Sequence, residues 1–247
     1  MSTAVPLANR SLKKTIKSAI HHSRAYAPFL PLIRALHNLA SLSEALAWCR
    51  SQTKLLPAAD RQAGALEDRC QLYEFLMKRY ALSGGIDYLE FGVYMGASIK
   101  WWTKHNISLD SRFFGFDTFT GLPENWGSVK KGDFSTNGRP PVEDDGRVHF
   151  IKGLFQETLD DFLARYRPGK IKVLHIDADL YTSTLFVLTR LAPVLKQNDI
   201  IMFDEFLSWK NTSDEFRAFR DFTSSYQVEC RLIGAADLFS HVAVQIV

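Results

Sequence analysis

The sequence predicts an α/β protein built on one mostly parallel sheet. Three observations point to it. Short apolar runs alternate with helical stretches from residue 86 onward, acidic residues stand where several of those runs end, and the chain closes on two adjacent strand-like runs. Strands alternating with helices at this spacing imply right-handed crossovers, which keep successive strands parallel. With 247 residues, 46% of them hydrophobic, the chain is long enough for one large core.

Residues 1–60 read as a basic helical extension and 61–247 as the α/β domain. No acidic residue precedes Glu44, whereas Arg10, Lys13, Lys14, Lys17, Arg24 and Arg34 give +6; the net charge of +3 leaves −3 for the remainder. Leu12, Ile16, Ala19 and Ile20 fall on one helical face, with Lys13, Lys14, Lys17, His21 and Arg24 elsewhere, which predicts an amphipathic helix over 11–25. Such a helix suits an anionic membrane surface, a partner subunit, an organelle-targeting role, or packing on the domain. Pro28, Pro31 and Pro57 punctuate the extension; between the last two, 33–49 is helical, with Ser41 to Glu44 as a capping box. Leu66, Cys70, Tyr73, Leu76 and Tyr80 predict a further helix over 61–82, ended by Ser83, Gly84 and Gly85.

Residues 86–93 then read as the first strand, 113–117 as the second, 148–153 as the third, 172–177 as the fourth and 199–206 as the fifth. Helices are expected from near Ala97, over 157–166, over 183–196 and over 214–226. Residues 227–235 and 241–247 are two strands separated only by ADLFS, too short for a parallel crossover, so they form an antiparallel hairpin. The stretch 123–146 has no periodicity, four glycines and three prolines. So long a structureless segment in a compact domain predicts a lid or acceptor-binding loop.

Composition also excludes. No run approaches the ~18 apolar residues of a spanning helix, and the start MSTAVPLANRSLKK lacks a secretory pattern. Cys49, Cys70 and Cys230 are widely spaced, neither a disulfide framework nor a zinc site, which suits a cytoplasmic protein. No basic and aromatic stripe recurs in the body, so nucleic acid is not an expected partner.

In YLEFGVYMGAS a strand delivers Glu90, turns through Gly92 and Gly96, and starts a helix near Ser98. Glycines at a first βα turn let the backbone approach a ligand, and the new helix offers free N–H groups to a carboxylate or phosphate. The second strand ends in Asp117, where an acid accepts hydrogen bonds from a ribose. This spacing fits any nucleoside-containing cofactor, an NAD(P)-dependent oxidoreductase included, although the glycines run G-x-x-x-G and not G-x-G-x-x-G. The loop resembles the S-adenosylmethionine loop of class I methyltransferases, especially the catechol O-methyltransferase-like enzymes. The resemblance implies Ser98 and nearby N–H groups on the cofactor's carboxylate, Glu90 toward its amine or the loop, and Asp117 on its ribose. Gly92, Tyr94, Gly96 and Thr118 complete the cofactor-binding set. It also implies a Rossmann-like seven-stranded sheet of order 3-2-1-4-5-7-6, its last strand antiparallel, with helices on both faces.

VLHIDADLYTST raises the question of two acids, Asp177 and Asp179, at the carboxyl end of a buried strand. If the strand persists they point to one side, into the crevice where open α/β sheets bind ligands. The fifth strand ends likewise in Asp204 and Glu205. Four carboxylates meeting there repel one another unless protonated or neutralised, and an all-oxygen set favours Mg2+, Mn2+ or Ca2+ over zinc. Asp177, Asp204 and Glu205 are the first choice of ligands. Asp179 is then a supporting acid, a general base, a helix cap, or itself a ligand if the register is one step off. His175, inside the strand, reads as a satisfied core histidine.

FFGFDTFTGLP, VLHIDADLYTST and FDEF together resemble the macrocin O-methyltransferase family over residues 66–247. That resemblance implies Mg2+-dependent methylation of a sugar hydroxyl on a natural product, with Asp177, Asp204 and Glu205 on the metal. The sequence departs from the family at Glu205, where an aspartate is usual, and from the catechol enzymes at Leu180, where those have a lysine base. The base stays unassigned. Enzymes of this kind use extra N-terminal helices for association, which implies a homodimer. The competing non-enzymatic reading is a cofactor-binding or membrane-associated scaffold.

Overall fold

The computed structural model describes residues 7–23, 27–208 and 213–247, with side chains over 12–20 in the first segment. The chain divides into two compact units, Met1–Ala40 and Ser41–Val247.

In the first unit, helix α1 spans Leu7–Ser23, covering most of the expected amphipathic helix; Arg24 and Ala25 lie outside the described residues. A single 3-10 turn, Ala27–Phe29, precedes α2, Leu30–Thr53. Ser41 does not open a helix as its capping pattern suggested. Pro31 sits in the first turn of α2, where a missing N–H is harmless, and no breaker follows it, so the helix runs uninterrupted through Ser41. The second half of α2 buries Ala45 and Cys49 in the core of the second unit.

The helix expected over 61–82 starts late. Residues Ala58–Gly64 form a 3-10 turn, and α3 is Arg69–Arg79, capped by Asp68, whose carboxylate accepts from the Gln71 N–H at 2.9 Å. Between them Leu66 is drawn to the sheet edge: its N–H donates to the Ala235 carbonyl and its carbonyl accepts from Asp237, both at 3.0 Å. Those backbone bonds compete with a helical turn.

The second unit then alternates as expected: β1 Ile86–Phe91, α4 Ala97–His105, β2 Arg112–Asp117, β3 Val148–Lys152, α5 Phe155–Arg165, β4 Ile171–Ile176, α6 Tyr181–Leu191, β5 Ile200–Phe203, α7 Asp214–Tyr226, β6 Cys230–Ala236 and β7 His241–Ile246. Helix α6 is shorter than expected because Pro193 tightens its end into the 3-10 turn Ala192–Val194. The seven strands lie in the order β3-β2-β1-β4-β5-β7-β6. Strand β7 runs antiparallel to both β5 and β6, while the other pairs are parallel. Inserting β7 there departs from the doubly wound dehydrogenase order. Among the described residues, no helix is long and apolar enough to cross a membrane.

Alternation along the buried strands divides the core. Leu89, Phe91, Leu174, Ile176, Ile201 and Phe203 face a layer made by α2, α5, α6 and α7. Ile86, Tyr88, Val173, Ile200 and Met202 face α3 and α4. A buried ion pair fixes the entry to the central strands. Lys172, 1% exposed, meets Asp199 at 2.8 Å, and Asp199 also accepts from the backbone N–H groups of Lys172 and Lys196. Replacing Asp199→Ala strands a buried ammonium and is expected to lower unfolding stability by about 3–5 kcal/mol, read by urea denaturation; a loss under about 1 kcal/mol would show that the pair is ordinary surface charge.

Candidate active site

The site is built at the carboxyl ends of neighbouring strands, and backbone bonds continue past those ends. Gly92 N–H donates to the Phe116 carbonyl at 3.0 Å, Asp177 N–H to Phe91 at 2.9 Å, and Asp204 N–H to Ile176 at 3.0 Å. The tips of β2, β1, β4 and β5 are thereby held in line. Gly92 has a left-handed φ of +95°, and a Cβ on it would lie 1.8 Å from the Asp177 carbonyl oxygen. Only glycine fits.

Asp117 fixes the loop after β1. One of its oxygens accepts from the N–H groups of Val93 at 2.8 Å and Tyr94 at 2.7 Å, and the other from Phe119 at 2.7 Å. A carboxylate has about four lone-pair sites, so one remains for a ligand hydroxyl. These bonds hold Tyr94 in its left-handed conformation, φ +51°. Gly96, φ +75°, begins α4 and packs against Pro141 of the long loop.

A cavity of about 280 Å3 opens above these tips. Gly92, Tyr94, Asp117 and Thr118 line it together with Asp177, Asp179, Asp204 and Glu205. The stretch 123–146, free of helix and strand, supplies Pro123, Trp126 and Phe134 to the wall. Its base is tied down by bonds from Thr136 and Gly138 to the Phe119 carbonyl and between Leu122 and Asp133.

The strand alternation invoked for Asp177 and Asp179 does not hold: β4 ends at Ile176, and Asp179 turns through a left-handed φ of +59°. The turn still brings both acids to the cavity. Asp179 does not cap α6, whose N-cap is Leu180. Glu90 and Ser98 do not line the cavity wall. Glu90 is buried behind it, accepting from the Tyr88 hydroxyl at 2.7 Å, and Ser98 lies 3.3 Å from the Tyr73 hydroxyl.

His175, 1% exposed, links these buried groups. Its Nδ1 lies 2.8 Å from the Tyr88 hydroxyl and 3.9 Å from Glu90; its Nε2 lies 3.4 Å from the Tyr73 hydroxyl and 3.7 Å from Asp204. Burial opposes its charge, but hydrogen bonding to Asp204 and Glu90 outweighs it and pushes the imidazole up to about 10. It is a satisfied core histidine, as expected.

The acids divide accordingly. Burial works against ionisation of Asp204, but His175 and His241 outweigh it and hold this carboxyl below the usual range; His241 Nδ1 lies 3.1 Å away and Arg69 3.4 Å. Asp177 is driven far up by burial and then by Asp204. Asp179 is pushed up to about 7 by burial, then by Glu205 and Asp204. Glu215 on α7, fully buried, accepts from the Glu205 N–H at 3.0 Å and is also driven up by burial. Among the described residues, no three His, Cys, Asp or Glu side chains already form a group that could hold a metal ion.

With this geometry, comparison with known proteins is informative. A family profile described as a methyltransferase domain matches residues 89–206, a little under half of the chain. The crystal structure of CalS11, a calicheamicin methyltransferase, is similar with a TM-score of 0.56 at 21% identity, covering 82% of this chain and 91% of that one. The chain has the Rossmann-like methyltransferase fold. The O-methyltransferase NovP is similar with a TM-score of 0.51 at 21% identity over 71% of this chain and 76% of that one. An O-methyltransferase from Bacillus cereus in complex with SAH gives a TM-score of 0.50 at 16% identity over 84% and 90%. A search of curated proteins gives no match.

Sequence reasoning missed several residues of this methyltransferase-fold site. Leu154, Phe155 and Gln156 line the cavity from the start of α5, a place the third strand's carboxyl end could have flagged. Arg69 and His241 reach Asp204 from α3 and β7, and nothing local in the sequence marks them. Gly92→Ala tests the strand-tip packing. The left-handed backbone alone costs about 1–3 kcal/mol, and the clash with Asp177 adds to it, so a marked fall in denaturation midpoint is expected. Gly146→Ala, with nothing within 4 Å of its Cβ, should match wild type.

Proposed function

We propose that the chain is an S-adenosylmethionine-dependent O-methyltransferase acting on a hydroxyl of a small molecule, a sugar or glycosylated natural product. One observation supports this most: a single cavity is lined by both the glycine loop with Asp117 and the carboxylates of Asp177, Asp179, Asp204 and Glu205. The matched methyltransferase-domain profile and the SAH complex of the Bacillus cereus neighbour agree with a nucleoside–sulfonium donor in it. Gly92 and Tyr94 would form the backbone cradle, and the remaining lone pair of Asp117, with Thr118 beside it, would take the ribose. Trp126 and Phe134 offer apolar faces to a sugar or aglycone, and Gln156 and Ser183 polar edges.

Bound there, S-adenosylmethionine supplies an activated methyl group. The acceptor hydroxyl oxygen would form the new carbon–oxygen bond as the donor's carbon–sulfur bond breaks, the electron pair going to sulfur. The hydroxyl proton would pass to a carboxylate, and Asp179, which lines the cavity, is the proposed acceptor. The site's residues orient the oxygen for in-line attack.

The donor chemistry of Asp177, Asp204 and Glu205 fits a hard divalent cation, Mg2+ first, and a dication there would oppose the burial and the Asp204 charge that drive the Asp177 carboxyl up. Such an ion would lower the acceptor hydroxyl's pKa. Asp204 would have to turn from Arg69 and the two histidines it faces.

Calorimetry should show SAH binding and none for NADH; the reverse would replace methyl transfer by hydride transfer. Asp179→Asn should lower kcat by about 10²–10⁴-fold with SAH affinity unchanged. Exhaustive chelation should abolish turnover and added Mg2+ restore it, whereas full activity after chelation removes the metal from the reaction.

A further inference from the structure

The first unit carries a feature that methyl transfer does not use. On α1, Leu12, Ile16 and Ile20 are 49–60% exposed. Spaced four apart, they occupy an arc of about 80° on the helix. On the first half of α2, Leu32, Leu36 and Leu39 are 56–61% exposed and share an arc of about 60°. Further along the same helix Ala45 and Cys49 are fully buried, so the exposure belongs to the first half alone. Large apolar side chains grouped into faces are unusual on a surface that meets only water.

The charge around these faces has one sign. Residues 1–40 contain six lysines and arginines and no aspartate or glutamate. Lys13, Lys14 and Lys17 are exposed on α1; Lys13 and Lys17 lie along one edge of its apolar arc, where long side chains can lay their stems along it and keep their ammonium groups in water. An uncovered apolar face bordered by lysines matches the boundary of an anionic bilayer: acyl chains cover the leucines and isoleucines, and headgroup phosphates meet the ammonium groups. A second copy of this chain fits less well, because pairing like faces would set six positive charges against six. Neither helix crosses the bilayer; the element lies in the interface.

We infer that α1 and the first half of α2 dock this protein on an anionic lipid surface. The test uses the full chain and sedimentation with vesicles of phosphatidylcholine alone or with about one-third phosphatidylglycerol. Binding to the anionic vesicles should be at least about tenfold tighter than to the neutral ones and weaken in about 0.5 M salt. The triple change Lys13→Glu, Lys14→Glu and Lys17→Glu, and separately Ile16→Asn with Leu36→Asn, should each weaken it about tenfold or more. SAH binding, measured on the same variants, should stay at its wild-type value, which separates loss of docking from loss of fold. Equal binding to both vesicle types, indifference to charge reversal, or a wild-type dimer that the Ile16→Asn and Leu36→Asn changes convert to monomer would overturn the inference.

Discussion

The close approach of Gly92 to the Asp177 carbonyl sets the geometry on which the rest of the site depends. A side chain at 92 would sit 1.8 Å from that oxygen, so the tips of β1 and β4 can meet only because residue 92 has none. Their contact puts the loop after β1 against the turn after β4. Backbone bonds from Gly92 to Phe116 and from Asp204 to Ile176 extend the alignment to β2 and β5. Four strand ends thus open on one cavity. A parallel sheet directs its carboxyl ends to one side, and the glycine lets those ends close up.

That geometry creates an electrostatic problem which the fold solves in part. Asp204 is approached from three directions, by Arg69 at 3.4 Å, His175 at 3.7 Å and His241 at 3.1 Å. His175 is in turn balanced by Glu90 through Tyr88, so the buried charges behind the wall form a linked set, as low-dielectric networks require. Burial drives the carboxyls of Asp177, Asp179 and Glu215 up, and neighbouring carboxylates add to it. Asp177 and Asp179 face the cavity. A dication or a sulfonium donor would complete the balance.

Much of this was legible in the sequence. The alternation of strands with helices predicted the sheet, and the short ADLFS link predicted the antiparallel hairpin of β6 and β7. Acids at strand ends predicted Asp177, Asp179, Asp204 and Glu205 at one cavity. What failed was local: the capping box at Ser41, which lies inside a continuous helix, Leu30–Thr53, longer than the expected 33–49, and the start of α3, because Leu66 bonds to a strand far away in sequence. Glu90, expected toward the cofactor's amine or the loop, and Ser98, expected on its carboxylate, face Tyr88 and Tyr73, partners set by sheet face and not by motif spacing. Asp117 was expected to meet a ribose; three backbone N–H groups claim most of its lone pairs. Arg69 and His241 depend on the three-dimensional meeting of α3, β5 and β7, which no short motif encodes.

The claim that one cavity holds both the methyl donor and the carboxylates is tested most directly by a crystal structure of the protein with SAH. The account predicts the nucleoside between the Gly92 loop and Asp117, with the sulfur directed toward Asp177 and Asp179. Electron density for SAH elsewhere on the molecule, or a sulfur turned away from those two acids, would contradict it.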